Sequence, residues 1–233
     1  MDGNGRWAQQ TGLMRLRGHE AGVEAVRDVV EAAAEWGIEH LTLYAFSVEN
    51  WQRPKLEVEG LMKFLANFLA KEKDRLIKNR IRLQGLGRLE DLPAKVADAL
   101  VDVQEATKDG DRMTLRLALS YGGRQEILDG VQKVLADVQA GKLKPAEVDL
   151  GTIAASLYDP GMPDPDLIIR SAGEIRLSNF LLWQASYAEF HFTEVLWPDF
   201  RREQLLIALR DYHSRVRRFG KVLDRDPAVE ETS

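Results

Sequence analysis

Short runs of apolar and β-branched residues alternate with longer stretches of helical periodicity along almost the whole sequence. The strand candidates are His40–Phe46, Arg80–Leu86, Met113–Ser120 and Asp166–Arg170, with a weaker one at Phe190–Thr193. Between them, Glu20–Trp36 sets Val23, Val26, Val29, Val30, Ala33 and Ala34 on one face, and Gly37 follows as a stop. Pro54–Asn79 repeats the pattern with Leu61, Met62, Leu65, Phe68, Leu69 and Leu76, and Pro54 suits a first helical position. Leu92–Thr107, Arg124–Ala140, Ser178–Tyr187 and Arg201–Phe219 are further predicted helices, while Pro145 and Pro160–Pro165 mark loops. Apolar strands joined by helices predict an α/β fold with a central, mostly parallel β-sheet flanked by helices. At 233 residues, with no internal repeat and no long Pro/Gly/Ser linker, the chain reads as a single domain.

Ligands of parallel sheets bind beyond the carboxyl ends of the strands. Those ends lead into Ser47–Arg53, Gly87–Asp91, Tyr121–Arg124 and Ser171–Ser178, all polar and several bearing glycine. In Ser47-Val48-Glu49-Asn50-Trp51-Gln52-Arg53, with Glu57 one turn into the next helix, donors able to touch phosphate stand beside Trp51. That ring either covers an apolar ligand or anchors the loop, and a helix cap with a buried Trp fits the same residues. Arg170–Asn179 holds Arg170, Arg176, Ser171, Ser178 and Gly173 in one loop. Two guanidinium forks favour a diphosphate over a single carboxylate; the lesser alternative is that both arginines are solvated surface charges.

A further cluster opens the chain: Asp2-Gly3-Asn4-Gly5-Arg6, followed by Arg15 and His19. The glycines let backbone N–H groups and a following helix start turn toward an anion, and the arginines add charge-assisted donors. Asp2 offers oxygens to a hard cation. A plain Gly-Asn turn is the alternative. Glu189 is a second carboxylate able to join Asp2 or an arginine. Trp197-Pro198-Asp199-Phe200 reads as a structural helix start with Asp199 as N-cap, and Arg215, Arg217 and Arg218 as a basic helix end.

The absence of cysteine excludes disulfides and thiolate metal sites and fits a reducing cytosol. Met1–Arg6 has no apolar signal core, and the longest apolar stretches, such as Leu41–Phe46 and Phe180–Trp183, are too short to span a bilayer. A soluble, cytoplasmic protein is expected, compatible with peripheral contact at a membrane surface. A net charge of −5 argues against a chain that coats nucleic acid. Gly-x-x-x-x-Gly-Lys-Ser/Thr, His-Glu-x-x-His and Asp-Asp-x-x-Asp are all missing, which disfavours P-loop hydrolases, zinc hydrolases and all-helical prenyl synthases. Two anion sites beside large apolar helices suggest substrates with charged heads and greasy tails.

Asp2–Ala8 (DGNGRWA), Gly18-His19, Leu41–Trp51 (LTLYAFSVENW), Tyr121–Arg124 (YGGR), Ile169–Glu189 and Trp197–Phe200 resemble, in order and spacing, the motifs of bacterial undecaprenyl diphosphate synthases, the cis-prenyltransferases also called isoprenyl transferases. The resemblance runs from Asp2 to about Gly220. It implies a cis-prenyltransferase domain over residues 1–220 with an apolar tunnel, and a flexible tail over 221–233. The activity it implies is Mg2+-dependent condensation of isopentenyl diphosphate onto an allylic diphosphate, such as farnesyl diphosphate. The product would be a long cis-polyprenyl diphosphate, the undecaprenyl carrier-lipid precursor for cell-wall synthesis.

By position, the resemblance makes Asp2 the organiser of Mg2+ and of the allylic diphosphate. Gly3, Asn4, Gly5, Arg6, Trp7 and Arg15 would form the cradle, with His19 nearby. Ser47, Glu49, Asn50, Trp51 and Arg53 match a loop over the site, in which Asn50 would assist proton removal and Arg53 and Glu57 would help position substrate. Arg170, Arg176 and Ser178 match the isopentenyl diphosphate site, and Glu189 a carboxylate for the metal or that substrate. Arg218 and Gly220 would reach the partner subunit's site, which implies a homodimer. Ala45 and Met113 match positions near the tunnel, where a small residue at 45 suits a long product and Met113 would narrow the floor. Relatives carry an apolar strand immediately ahead of Asp2, for which this sequence holds no residues, and Ser171-Ala172 stands where relatives have Thr-Gly or Thr-Ser.

Two other readings compete. A non-catalytic scaffold subunit of the same fold is expected to lose the Asp and Arg residues of the first cluster, which are kept here. A generic α/β phosphatase requires a nucleophilic Asp or Cys at a strand end with a compact metal site, which the sequence does not offer.

Overall fold

The computed structural model describes residues 1–12 and 14–215, apart from the side chains of residues 15 and 16. In chain order these form α1 (Asn4–Gln10), α2 (Arg15–Glu35), β1 (His40–Ser47), α3 (Lys55–Lys78), β2 (Ile81–Leu86), α4 (Ala94–Thr107), β3 (Met113–Tyr121), α5 (Gly123–Gln139), α6 (Leu150–Ala154), β4 (Leu167–Arg170), β5 (Glu189–Phe192) and α7 (Arg202–His213), with 3-10 turns between some of them. Every strand pair is parallel, as expected: β1-β3-β2 form one sheet and β4-β5 another. Both faces of β3 are covered: Leu115, Leu117 and Leu119 pack in the main core, and Ala118 packs in a second cluster with Ile168 and Leu181. The main core joins these strands to Ala25 and Val29 of α2, Met62 and Leu69 of α3, and Leu100 of α4.

β1 and β4 both line one cavity, and among the described residues they do not pair with each other. The described parallel strands therefore form two separate sheets. At the head of this cavity β1 and β3 lose register. Tyr44 pairs with Ala118 and Phe46 with Leu119, so Ala45 is an extra residue; Ser47 pairs with Tyr121, so Ser120 is another. Such bulges bend a strand and re-aim the residues that follow.

Three sequence expectations need correction. Ser178–Tyr187 is not a helix; only Gln184–Tyr187 makes a 3-10 turn. Ser178, Asn179 and Leu181 have φ of 50°, 64° and 46°, the left-handed region that a right-handed helix cannot include. The last helix is capped by Arg201 rather than Asp199, whose carboxylate instead accepts from Trp7 Nε1 at 3.0 Å. Met113 is buried in the main core and does not line the cavity. Helix α1 supplies the helix start expected after the opening glycine, though its extent was not predicted. It lies so close on α2 that a Cβ on Gly18 would sit 2.0 Å from the Asn4 carbonyl oxygen, which holds the opening cluster against the body of the protein. Residues 216–233, including Arg218, Gly220 and the predicted tail, lie outside the described residues.

Candidate active site

A cavity of about 1500 Å³ runs between β1, β4, α2 and α3. Apolar side chains line its body, among them Val23, Val26, Leu61, Leu65 and Phe68, while its head carries Asp2, Arg6, Asn50, Arg170, Arg176 and Ser178. Charged head and greasy body are thus parts of one space.

Asp2 is fixed from both flanks. Its backbone N–H donates to Ser171 Oγ at 2.9 Å, and its carbonyl accepts from Trp197 N at 2.9 Å. Gly3 N donates to the carboxylate at 2.7 Å, and Arg170 Nη2 does so at 3.0 Å. Burial pushes this carboxyl up, but the Gly3 and Arg170 bonds outweigh burial and hold it below its ordinary range. Gly3 has φ 95°, and a Cβ there would also come within 2.8 Å of the Leu196 side chain, so only glycine suits the turn.

Arg170 also donates through Nη1 to the Arg176 carbonyl and to Ser178 Oγ, both at 2.7 Å. Its Nε is buried without a hydrogen-bond partner among the described residues, a donor suited to an anionic oxygen. Arg6 donates to the Ala172 carbonyl at 2.7 Å and meets Glu174 at 3.4 Å; Glu174 also pairs with Arg176. One carboxylate therefore holds a guanidinium from each of the two arginine-bearing clusters.

In the loop after β1, the Asn50 side-chain oxygen accepts from Ser47 N at 3.2 Å. Trp51 is the anchor of this loop and not a cavity wall. Its Nε1 donates to Ser120 Oγ at 2.9 Å, Ser120 donates in turn to Asp91 at 2.9 Å, and the ring meets Phe46 edge-on at 4.8 Å. Arg53 pairs with Glu57 at 3.3 Å.

Of the sequence-predicted residues, Asp2, Gly3, Asn4, Gly5, Arg6, His19, Ser47, Glu49, Asn50, Arg53, Arg170, Arg176 and Ser178 line this one cavity. Trp7 and Trp51 stand behind it, held by Asp199 and Ser120. Glu189 is not brought to Asp2. It opens β5 opposite Leu167, at the other end of β4 from Arg170, where Arg215 pairs with it at 2.9 Å. Sequence reasoning named Ser171 without giving it a role toward Asp2, and gave none to Ser120 or Asp91. The first lay inside a cluster already singled out; the other two are joined only by tertiary structure.

Mg2+ is commonly held by one or two carboxylates together with substrate phosphates and water. Asp2 supplies one carboxylate at the polar head, and no group of three or more His, Asp or Glu side chains that could hold a metal gathers among the described residues. This set suits a cation completed by diphosphate oxygens, and not an all-protein cage.

The comparisons with known proteins agree with this arrangement. Residues 1–220 match the prenyltransferase family model described as "Putative undecaprenyl diphosphate synthase". An isoprenyl transferase of Thermotoga maritima is 49% identical over 224 residues, covering 96% of this chain and 95% of that protein. Isoprenyl transferase 1 of Streptomyces coelicolor is also 49% identical, covering 97% and 82%. Among solved structures, lavandulyl diphosphate synthase of Lavandula x intermedia, in complex with dimethylallyl diphosphate, superposes with a TM-score of 0.92 at 36% identity, covering 95% of each chain. A probable undecaprenyl diphosphate synthase of Campylobacter jejuni gives 0.77 at 36% identity, covering 87% of this chain and 93% of that one. With its two arginine-bearing loops closed over one apolar cavity, the chain belongs to the undecaprenyl diphosphate synthase family and is a prenyltransferase.

Proposed function

We propose that this prenyltransferase condenses isopentenyl diphosphate units onto an allylic diphosphate, with Mg2+, to give a long-chain cis-polyprenyl diphosphate of the undecaprenyl type. The observation that carries the reading is the Asp2–Arg170 pair, which joins the two anion-binding clusters at the head of a largely apolar cavity. Gly3–Arg6, with Arg15 carried over from the family resemblance, would cradle the allylic head, and His19 lines the same cavity. Arg170, Arg176 and Ser178 take the head of isopentenyl diphosphate. A structural relative was solved with dimethylallyl diphosphate, itself an allylic diphosphate, which supports the substrate class.

Holding both heads fixed supplies much of the acceleration, since two reactants are converted into one oriented pair. The allylic carbon–oxygen bond breaks, the isopentenyl double bond attacks the allylic carbon, and a proton leaves to form the new double bond. Arg6 and Arg15 stabilise the charge that develops on the departing diphosphate. Mg2+, held by Asp2 and diphosphate oxygens, would add Lewis-acid stabilisation of that same leaving group. Asn50 assists the proton's departure, Glu49 and Arg53 keep its loop over the heads, and Trp7 and Trp51 brace the cradle from behind. The lengthening tail occupies the apolar body between α2, α3 and β1. Through a homodimer, Arg218 and Gly220 would complete the partner's isopentenyl site.

The test is incubation with farnesyl diphosphate, labelled isopentenyl diphosphate and Mg2+, followed by product-length analysis. Mg2+-dependent cis-polyprenyl products are expected; the absence of any product would overturn the reading.

A further inference from the structure

We infer that Asn179 is a positioning residue, a clasp that holds the loop after β1 in register with the Arg170–Ser178 loop and the start of α5. The inference rests on the proposed function for its kinetic consequence and on geometry alone for the clasp itself. Three segments meet at this one side chain. Its Nδ2 donates to Glu49 Oε1 at 2.9 Å, in the loop that carries Asn50, and to Gln125 Oε1 at 3.1 Å. Its Oδ1 accepts from Arg124 N at 2.8 Å, and its backbone carbonyl accepts from Gly123 N at 2.7 Å. The amide orientation follows from the partners, because the two oxygens need the NH2 group and the N–H needs the oxygen.

Residue type and backbone agree with that role. With φ of 64°, position 179 occupies a region that Asn tolerates better than most residues. The neighbouring Ser178 is the one that receives Arg170 Nη1 at 2.7 Å, so a shift of Asn179 is passed directly to the arginine. A Cβ on Gly122 would lie 2.6 Å from Asn179 Nδ2, so a side chain there would push the Asn179 amide aside. Burial pushes the Glu49 carboxyl up, and the Asn179 bond leads the contacts that outweigh it and hold it below its usual range. Both amide hydrogens of Asn179 are committed within the protein, which is why it positions rather than binds.

The experiment uses N179D, N179G and the double variant N179D/E49Q in the full chain. N179D keeps an oxygen for Arg124 N and tolerates the left-handed backbone, but turns the donor facing Glu49 into a like charge. N179G keeps the backbone conformation and deletes the side chain. Hydrogen exchange without substrate is expected to quicken over residues 47–53 in both single variants while β3 is unchanged. In steady state, kcat/KM for isopentenyl diphosphate should fall roughly ten- to hundredfold, the loss expected of a hydrogen bond to a charged group. E49Q should recover part of that loss in the double variant, because its amide can offer an N–H to the new carboxylate. Unchanged exchange in the single variants, or no recovery in the double variant, would overturn the clasp. Exchange is read without turnover, so a wild-type chain that makes no product would count against the proposed function and leave the clasp independently tested.

Discussion

Arg170 Nη2 donates to Asp2 at 3.0 Å across 168 positions of sequence, and Ser171 holds the backbone of the same aspartate from the other side. The end of β4 and the opening turn of the chain are therefore one electrostatic unit. Each substrate head, as proposed, enters beside a charge that the other cluster also holds.

Asp2→Ala is expected to lower kcat at least about a hundredfold, the scale for removing a group that stabilises developing charge. The Asp2 side chain is 41% exposed, so the lost ion pair should cost at most about 1 kcal/mol of stability. For a chain of this size that is a Tm shift of roughly 2–4 °C, readable by thermal melts. Full turnover in the variant would remove Asp2 from the metal and leaving-group role.

Arg170→Lys keeps the charge and loses the fork. A single ammonium cannot reach the Arg176 carbonyl, Ser178 Oγ and Asp2 in the geometry the guanidinium now spans. The KM for isopentenyl diphosphate should rise about tenfold or more, with a smaller change in the KM for the allylic substrate. Equal effects on the two would show that the arginine does not belong to one head.

Ala45 is the extra residue of the β1 bulge and lines the cavity beside Leu43 and Leu61. Filling that space should stop the tail earlier, because a packed wall does not yield to added methylenes without strain. Ala45→Phe is expected to shift the products to shorter chains while the first condensation keeps its rate. An unchanged product ladder on chromatography would place the growing tail elsewhere.

Much of this was legible because local chemistry and tertiary role coincide. The period of Pro54–Asn79 matches α3 (Lys55–Lys78) within one residue at each end, since its apolar face is also its buried face. Asp2, Arg6, Arg170 and Arg176 stood out because several charges in a Gly-bearing loop have few uses other than an anion. The helical reading of Ser178–Tyr187 failed because side-chain and backbone bonds to Asn179 sustain a left-handed backbone that composition does not reveal. The Trp51–Ser120–Asp91 relay was invisible for a related reason: each residue is ordinary until β3 and its bulge bring the three together.

That relay rests on a charged prop, which leads to a test by pH. Arg88, three residues before Asp91, grips Asp129 through two bonds of 2.8 and 2.7 Å, and Tyr158 donates its hydroxyl to the same carboxylate. The Arg88 bonds hold the Asp129 carboxyl below its ordinary range. A carboxyl whose folded pKa is depressed adds stability that is complete above its unfolded pKa, near 4, and is lost as pH falls through the folded value. Asp129→Asn should therefore cost about 1–3 kcal/mol at pH 7, the range for hydrogen bonds to charged groups at a half-buried site. Below about pH 4 the unfolded chain takes up a proton at this carboxyl that the folded chain resists, and the difference should narrow. Urea unfolding at pH 7 and pH 3 measures both limbs. A difference that stays constant between them would assign the stability to the shape of the network and not to the charge on Asp129.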